Sequence, residues 1–174
     1  MPLEKDVFNF CPICGGDFKT SSDISKKCSK CGYVYFISAN PCAGGIVVNE
    51  SGHILLIKRK NDPYKGIWDI PAGFVDGLET FEEALKREMK EEIGIDISNY
   101  QYFKSYSGEY ENKRATKYYL TAMFIIQIND DTVINIGDDA GEYKFVDPEN
   151  INYDEISFES TKQALRDYIN SQKQ

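Results

Sequence analysis

The chain is short of positive charge: 20 Lys and Arg stand against 28 Asp and Glu, a formal net charge of −8. A protein that holds nucleic acid by bulk electrostatics needs a net-basic face to displace counterions, so the chain as a whole does not belong to that class, although a local basic patch is still allowed. It has no apolar run near the roughly 20 residues of a membrane span. Met1 to Asp6 lack the basic start and apolar stretch of a secretory signal, so the expectation is a cytoplasmic protein without a membrane partner. Internal repeats and low-complexity tails are missing as well. What remains is an ordinary globular composition of 174 residues, 41% hydrophobic and 28% charged, enough for one sizeable core and a small satellite.

Large apolar residues are also scarce between residues 11 and 32, a segment rich in Cys, Gly, Ser and Lys. Such a segment cannot hold itself together through a hydrophobic core. Four of the five cysteines fall there as two pairs, Cys11-x-x-Cys14 and Cys28-x-x-Cys31, with 13 residues between the pairs. Without a secretory context this spacing favours metal over disulfides. Four thiolates would make a closed tetrahedral zinc site, structural and not catalytic, whose binding energy replaces the missing core. Cys42 is left over as a small buried thiol. Asn40-Pro41 marks a break, because the residue before proline is pushed to extended geometry. The expected division is a zinc ribbon at 1–38 and a catalytic domain at 39–174.

In the second part, residues 43–48 and 53–58 flank a turn-like Asn49-Glu50-Ser51-Gly52 and predict a hairpin. A polar loop at 60–66, a short strand at 67–70 and a glycine-containing loop at 71–78 lead into a helix over 80–93 that Gly94 should end. Strands are expected at 100–106, 118–128, 133–136 and 143–146, then a helix over about 160–170. Trp68 reads as a core residue rather than a base-stacking platform. The central helix holds the unusual feature. At about 100° per residue, Glu88, Glu91 and Glu92 share one face, next to an apolar stripe of Phe81, Leu85, Met89 and Ile93. Clustered like charges repel, and local propensity gives no reason for them. A divalent cation would turn that cost into a ligand set, and hard carboxylate oxygens suit Mg2+ or Mn2+. Arg87 can brace Glu83 and Glu91, or reach back to Glu79. Ions of this kind bridge phosphate oxygens and activate water, which fits hydrolysis of a phosphoanhydride.

The stretch from Gly73 to Ile95 resembles the Nudix box, G-x5-E-x7-R-E-U-x-E-E-x-G-U with U a bulky apolar residue, at every fixed position. Seven identities coincide, and at roughly 7% per residue type chance supplies about 10⁻⁸ per start position. The resemblance implies the α/β Nudix fold, an α/β/α sandwich around a mixed sheet, and action on a nucleoside diphosphate linked to a further group. By the same resemblance Glu88, Glu91 and Glu92 are the metal ligands, with Glu88 or Glu92 the general base. Arg87 is the orienting residue, Glu79 its loop partner, and Gly73 and Gly94 bound the motif. Outside the box, Glu142 takes the place of a further acid that binds metal or acts as base, and Arg59 that of a substrate-holding residue.

A zinc ribbon joined to a Nudix domain resembles the NADH pyrophosphatase branch, which includes enzymes that remove NAD caps from RNA. This chain departs from it where that branch carries SQPWPFP, since Ser105 to Arg114 occupy the region instead. The downstream proline of one ADP-ribose pyrophosphatase group is also missing, because no proline lies between Pro71 and Pro148. Tyr106 and Tyr110, with Lys113 and Arg114 nearby, could stack a base and hold phosphate. Three functions stay open: a small-nucleotide pyrophosphohydrolase, acting on ADP-ribose, a dinucleotide or a nucleotide sugar; an RNA-end or cap hydrolase using the ribbon, with Lys19, Lys26, Lys27 and Lys30, as a docking module; and a non-catalytic nucleotide sensor. The superfamily's habit of dimerising also allows a homodimer.

Overall fold

A computed structural model describes residues 1–112, 114–137 and 140–173. Their contacts divide the chain into two compact units: Met1–Asn40 with Glu109–Tyr119, and Pro41–Gly108 with Leu120–Gln174. In the first unit a one-turn helix α1 (Glu4–Val7) precedes β1 (Phe18–Ser22), β2 (Ser25–Cys28) and β3 (Val34–Phe36), which form an antiparallel three-stranded sheet. One face of the sheet carries a small aromatic cluster, with the ring of Tyr35 5.2 Å from Phe8 and 6.2 Å from Phe18. Lys26, buried beside it, donates from Nζ to the Phe8 carbonyl at 2.7 Å. The segment 109–119 joins this unit through the Thr116 amide, which donates to the Pro2 carbonyl at 2.9 Å.

The second unit contains most of a seven-stranded sheet. Its path is β10 (Ala140–Val146), β5 (Ile54–Arg59), β4 (Asn40–Val48), β9 (Ala115–Gln127) and β8 (Tyr100–Asn112), while β6 (Trp68–Asp69) pairs β5 and β7 (Ala72–Phe74) pairs β4. β4 and β5 are antiparallel, as the predicted hairpin requires. The Ile128 amide donates to the Val48 carbonyl at 2.9 Å, which puts the C-terminal ends of β9 and β4 side by side and makes the sheet mixed. Helix α2 (Phe81–Ile93) covers one face and α3 (Glu159–Ser171) the other, with two short 3-10 turns at Pro148–Asn150 and Tyr153–Glu155 leading into α3. On the α2 side Leu85, Met89 and Ile93 are fully buried with Val47, Leu55 and Ile126. Each such side chain contributes about 1.5–3 kcal/mol. On the α3 side Leu165 and Tyr168 pack with Ile46, Leu56 and Met123. This is the expected sandwich.

Local rules set the ends of α2. Thr80 and Glu83 form a reciprocal capping box: the Glu83 amide donates to Thr80 Oγ1 at 3.2 Å, and the Thr80 amide to Glu83 Oε2 at 2.8 Å. Gly94 closes the helix with φ 73°. Several expectations are corrected. Glu83 caps the helix and is not braced by Arg87. Residues 133–136 form no strand; instead the Asn135 amide donates to the Ile93 carbonyl and the Gly137 amide to the Glu92 carbonyl, both at 3.0 Å. Those carbonyls, orphaned at the end of α2, are thereby satisfied. Strands β8 and β9 also run longer than expected: β8 continues past 106 to Asn112, and β9 begins at Ala115 instead of 118. The loop at 71–78 contains β7. Lys113 lies outside the described residues.

Gly137 passes so close to α2 that an added Cβ would overlap the Glu91 carbonyl oxygen. Gly137→Ala should therefore lower stability by about 1–3 kcal/mol in urea unfolding, through forced displacement of backbone from backbone. An unchanged midpoint would show that the segment is free to move off the helix.

Candidate active site

Everything in the box turns on Arg87. Its Nε and NH2 grip both oxygens of Glu79 at 2.8 and 2.9 Å, its NH2 also reaches the Phe74 carbonyl at 2.8 Å, and its NH1 meets Glu88 at 2.6 Å and Glu91 at 3.1 Å. One guanidinium thus ties the loop to the helix, using the planar fork that suits carboxylates. Arg87 holds Glu79 at about 2, well below a carboxyl's ordinary 4.5, with the Asp76 amide helping. Glu88 sits directly against Gly73, where a Cβ would fall inside its carboxylate. Glycine at that position is what lets the acid reach the β7 backbone.

The three helical acids differ in exposure. Glu91 is 60% exposed, whereas Glu88 keeps only 12% and Glu92 is half-buried, its Oε2 accepting the Ala72 amide at 2.8 Å. Burial raises the Glu88 carboxyl above its ordinary value, with Arg87 opposing. Glu92 is likewise pushed up, by burial first and then by the charge of Glu88. Two desolvated acids at one edge of the core are an unfavourable arrangement for anions and a favourable one for cation ligands.

An acid that sequence reasoning missed stands behind them. Asp69 is 4% exposed; its Oδ1 accepts the Ile70 amide at 2.9 Å and the Thr161 hydroxyl at 3.0 Å, and its Oδ2 lies 3.4 Å from Arg59. Burial raises its carboxyl too. The only signal in the sequence was an acid inside the apolar run Ile67-Trp68-Asp69-Ile70.

In the ribbon, the sulfurs of Cys11, Cys14, Cys28 and Cys31 all lie within 4.8 Å of one another. Cys11 and Cys31 are 3.7 Å apart, and Cys14 and Cys28 3.5 Å. A tetrahedron with metal–sulfur bonds of about 2.3 Å has edges near 3.8 Å, so the cluster is compatible with zinc. The Cys31 and Lys30 amides face Cys28 Sγ at 3.5 and 3.4 Å. Amide donors, that of Cys31 first, bring the Cys28 thiol down to about 6. Among the described residues these sulfurs are the group of three or more ligand atoms that converges within that distance. Among the described residues the box carboxylates do not converge so closely.

A family model described as the NUDIX domain matches residues 39–167. The chain belongs to the NUDIX domain family. Among curated relatives of this NUDIX chain, an ADP-ribose pyrophosphatase from Methanocaldococcus jannaschii is 35% identical over 123 residues, 71% of this chain and 69% of that protein. A NAD-capped RNA hydrolase NudC from Haemophilus influenzae is 38% identical over 109 residues, 60% of this chain and 40% of that protein. Of solved structures, a NUDIX hydrolase from Nitrosomonas europaea superposes with a TM-score of 0.66 at 24% identity, covering 93% of this chain and 90% of that one. The NUDIX domain of Shewanella oneidensis NrtR, complexed with ADP ribose, gives 0.65 at 15%, covering 78% and 90%. Both likenesses concern the fold. NUDIX hydrolases use divalent metals such as Mg2+ or Mn2+.

Residues outside the NUDIX box are placed as follows. Glu142, 57% exposed, pairs with Lys58 at 2.5 Å. Arg59 ends β5 with Nε on the Pro63 carbonyl at 2.8 Å and its guanidinium carbon 5.1 Å from the centre of the Phe158 ring. Tyr106 donates its hydroxyl to Asp167 of α3 at 3.0 Å and packs on the α3-side core. Tyr110 belongs to the first unit, where its ring lies 6.2 Å from Tyr119. Trp68 is half-buried against the α3-side core, with Lys144 Nζ 4.0 Å from its ring centre. Cys42 is buried, and burial pushes its thiol up to about 12.

Because the folded Glu79 value lies below the unfolded one, ionised Glu79 stabilises the fold at neutral pH, and that contribution is lost as pH falls from 4.5 towards about 2. In urea unfolding, the stability difference between wild type and Glu79→Gln should be constant near neutrality and shrink across that acid window. A difference independent of pH would mean that the Glu79 charge plays no part in the clamp.

Proposed function

We propose that this chain hydrolyses the diphosphate bond of a nucleoside diphosphate linked to a further moiety, with ADP-ribose as the representative substrate. The observation that carries this is the pair of desolvated acids, Glu88 and Glu92, held at the edge of the core by the Arg87 clamp and the Ala72 amide. The family match over 39–167 and the ADP-ribose pyrophosphatase relative support the substrate class.

Glu88, Glu91 and Glu92 are the residues that would hold Mg2+ or Mn2+, the oxygen donor set such ions prefer. When bound, the ions supply charge neutralisation at the phosphate oxygens and activation of water. Water adds to one phosphorus, the bridging P–O bond breaks, and two phosphate monoesters leave. A carboxylate takes the water's proton, and Glu88 and Glu92 are the candidates. Arg87 orients Glu88 and Glu91 without contacting substrate. Glu142, at the head of β10 and paired with Lys58, would serve as a further metal ligand or base. The four ribbon cysteines would hold structural Zn2+, a reduced-thiol arrangement that fits a cytoplasmic setting.

Glu92→Gln and Glu91→Gln should each retain the circular dichroism of the wild type and lower Mg2+-dependent release of AMP from ADP-ribose, by at least about 10²-fold for Glu92→Gln. Unchanged turnover in both variants would overturn the site assignment.

A second reading, hydrolysis at the 5′ end of RNA with the ribbon as docking module, is favoured by one observation. Lys19 and Lys27 stand directly opposite each other across β1 and β2, and Val34 is opposite Lys27. Like charges so placed repel, and among the described residues neither lysine has an ion pair. Phe36, 65% exposed, lies on the same sheet face two residues from Val34. Lysines beside an exposed ring suit a single-stranded polyanion. On this reading Lys19→Glu with Lys27→Glu slows turnover of NAD-capped RNA and spares ADP-ribose; equal effects on both substrates, or none, would remove it.

A further inference from the structure

The loop between Arg59 and Ile67 is closed by its own backbone. The Arg59 amide donates to the Ile67 carbonyl at 2.9 Å, the Gly66 amide to the Arg59 carbonyl at 2.7 Å, and the Ile67 amide to the Tyr64 carbonyl at 3.1 Å. Within it Tyr64 has φ 64°, the one positive value among the described non-glycine residues. Bulky side chains rarely occupy that region. Two residues on, Gly66 meets a similar demand with φ 84° and no side chain. Position 64 therefore carries its ring against local backbone preference, and strain of this kind collects at ligand sites.

Core packing does not account for the ring. Tyr64 is 46% exposed, and it meets Phe158 edge to face with centroids 5.0 Å apart. The same Phe158 ring supports the Arg59 guanidinium at 5.1 Å, and Arg59 is pinned from two more sides by the Pro63 carbonyl and Asp69. Asp69 is itself immobilised by Thr161 and the Ile70 amide. A fixed cation and two aromatic rings thus meet at one place. That place adjoins the box, because Asp69 lies three residues before Ala72, whose amide holds Glu92, and the charges of Asp69 and Arg59 both act on Glu92.

We propose that Tyr64, backed by Phe158 and Arg59, is the stacking platform for the nucleobase of the substrate, with Asp69 as the positioning residue that fixes Arg59. The assignment rests on the reading that the substrate is a nucleoside diphosphate derivative. An aromatic face stacks on any base, so the platform confers preference for a nucleoside over a bare sugar phosphate without selecting one base strongly. Arg59 reinforces it through the attraction of a guanidinium for a π face.

Tyr64→Gly removes the ring and relieves the backbone, and Tyr64→Asn does the same with a residue at ease in left-handed geometry. Calorimetry with AMP and with ribose 5-phosphate, in the presence of Mg2+, should show AMP binding weakened about tenfold in both variants and ribose 5-phosphate binding unchanged. For ADP-ribose, KM should rise by about the same factor with kcat within about twofold, and Tyr64→Trp should keep wild-type values. An unchanged AMP affinity and KM in Tyr64→Gly would overturn the platform, as would equal weakening of AMP and ribose 5-phosphate. If the wild type neither binds AMP nor hydrolyses ADP-ribose, the functional reading itself falls. Wild-type turnover with an unaltered KM in the variants sinks only the base site.

Discussion

The Arg87 guanidinium joins three pieces of chain at one point: the loop carboxylate of Glu79, the carbonyl of Phe74 on β7, and two acids of α2. Loop, strand and helix are thereby locked into one register. A lysine could not substitute, since a point charge lacks the fork that takes Glu79 with two nitrogens while turning a third side to Glu88. The absence of a side chain at Gly73 is the other half of the same constraint, because the Glu88 carboxylate occupies the space a Cβ would need. Without the clamp, Glu88 and Glu91 would have repulsion to overcome and no partner to orient them.

Burial then divides labour among those acids. Leu85, Met89 and Ile93 pull α2 onto the sheet, and the helical repeat carries Glu88 and Glu92 to the edge of the core while Glu91 stays in solvent. The site is poised by hydrophobic packing as much as by charge. The two units of the chain meet the problem of stability differently. The larger has two fully buried clusters on either side of a sheet, whereas the smaller has a few tilted rings and four sulfurs drawn to within 4.8 Å.

Much of this was legible beforehand because it depends on short-range pattern. The apolar stripe of α2 and the stop at Gly94 are local, and both appear where the pattern puts them, while Thr80, read as the first helical residue, caps the helix. Arg87 with Glu79 was legible as one of several pairings; only the fold showed that Glu83 is taken by the helix cap. Residues 133–136 looked like a strand because alternating apolar residues do not reveal that their amides will be claimed by the carbonyls ending α2. The extension of β8 past residue 106, against a β9 that begins at Ala115, was not read from the polar, tyrosine-rich pattern there.

By itself the sequence determined the family, the face of α2 that carries the acids, and the four-cysteine cluster, since spacing along a helix or within a knuckle is a matter of covalent geometry. Only the tertiary structure decided that Asp69 lies buried behind the site, that Tyr106 serves α3, and that Arg59, Tyr64 and Phe158 meet. Phe158 is nearly a hundred residues from Arg59 in sequence. What brings them together is the packing of α3 on the far face of the sheet, an outcome of burying whole elements that no local pattern encodes.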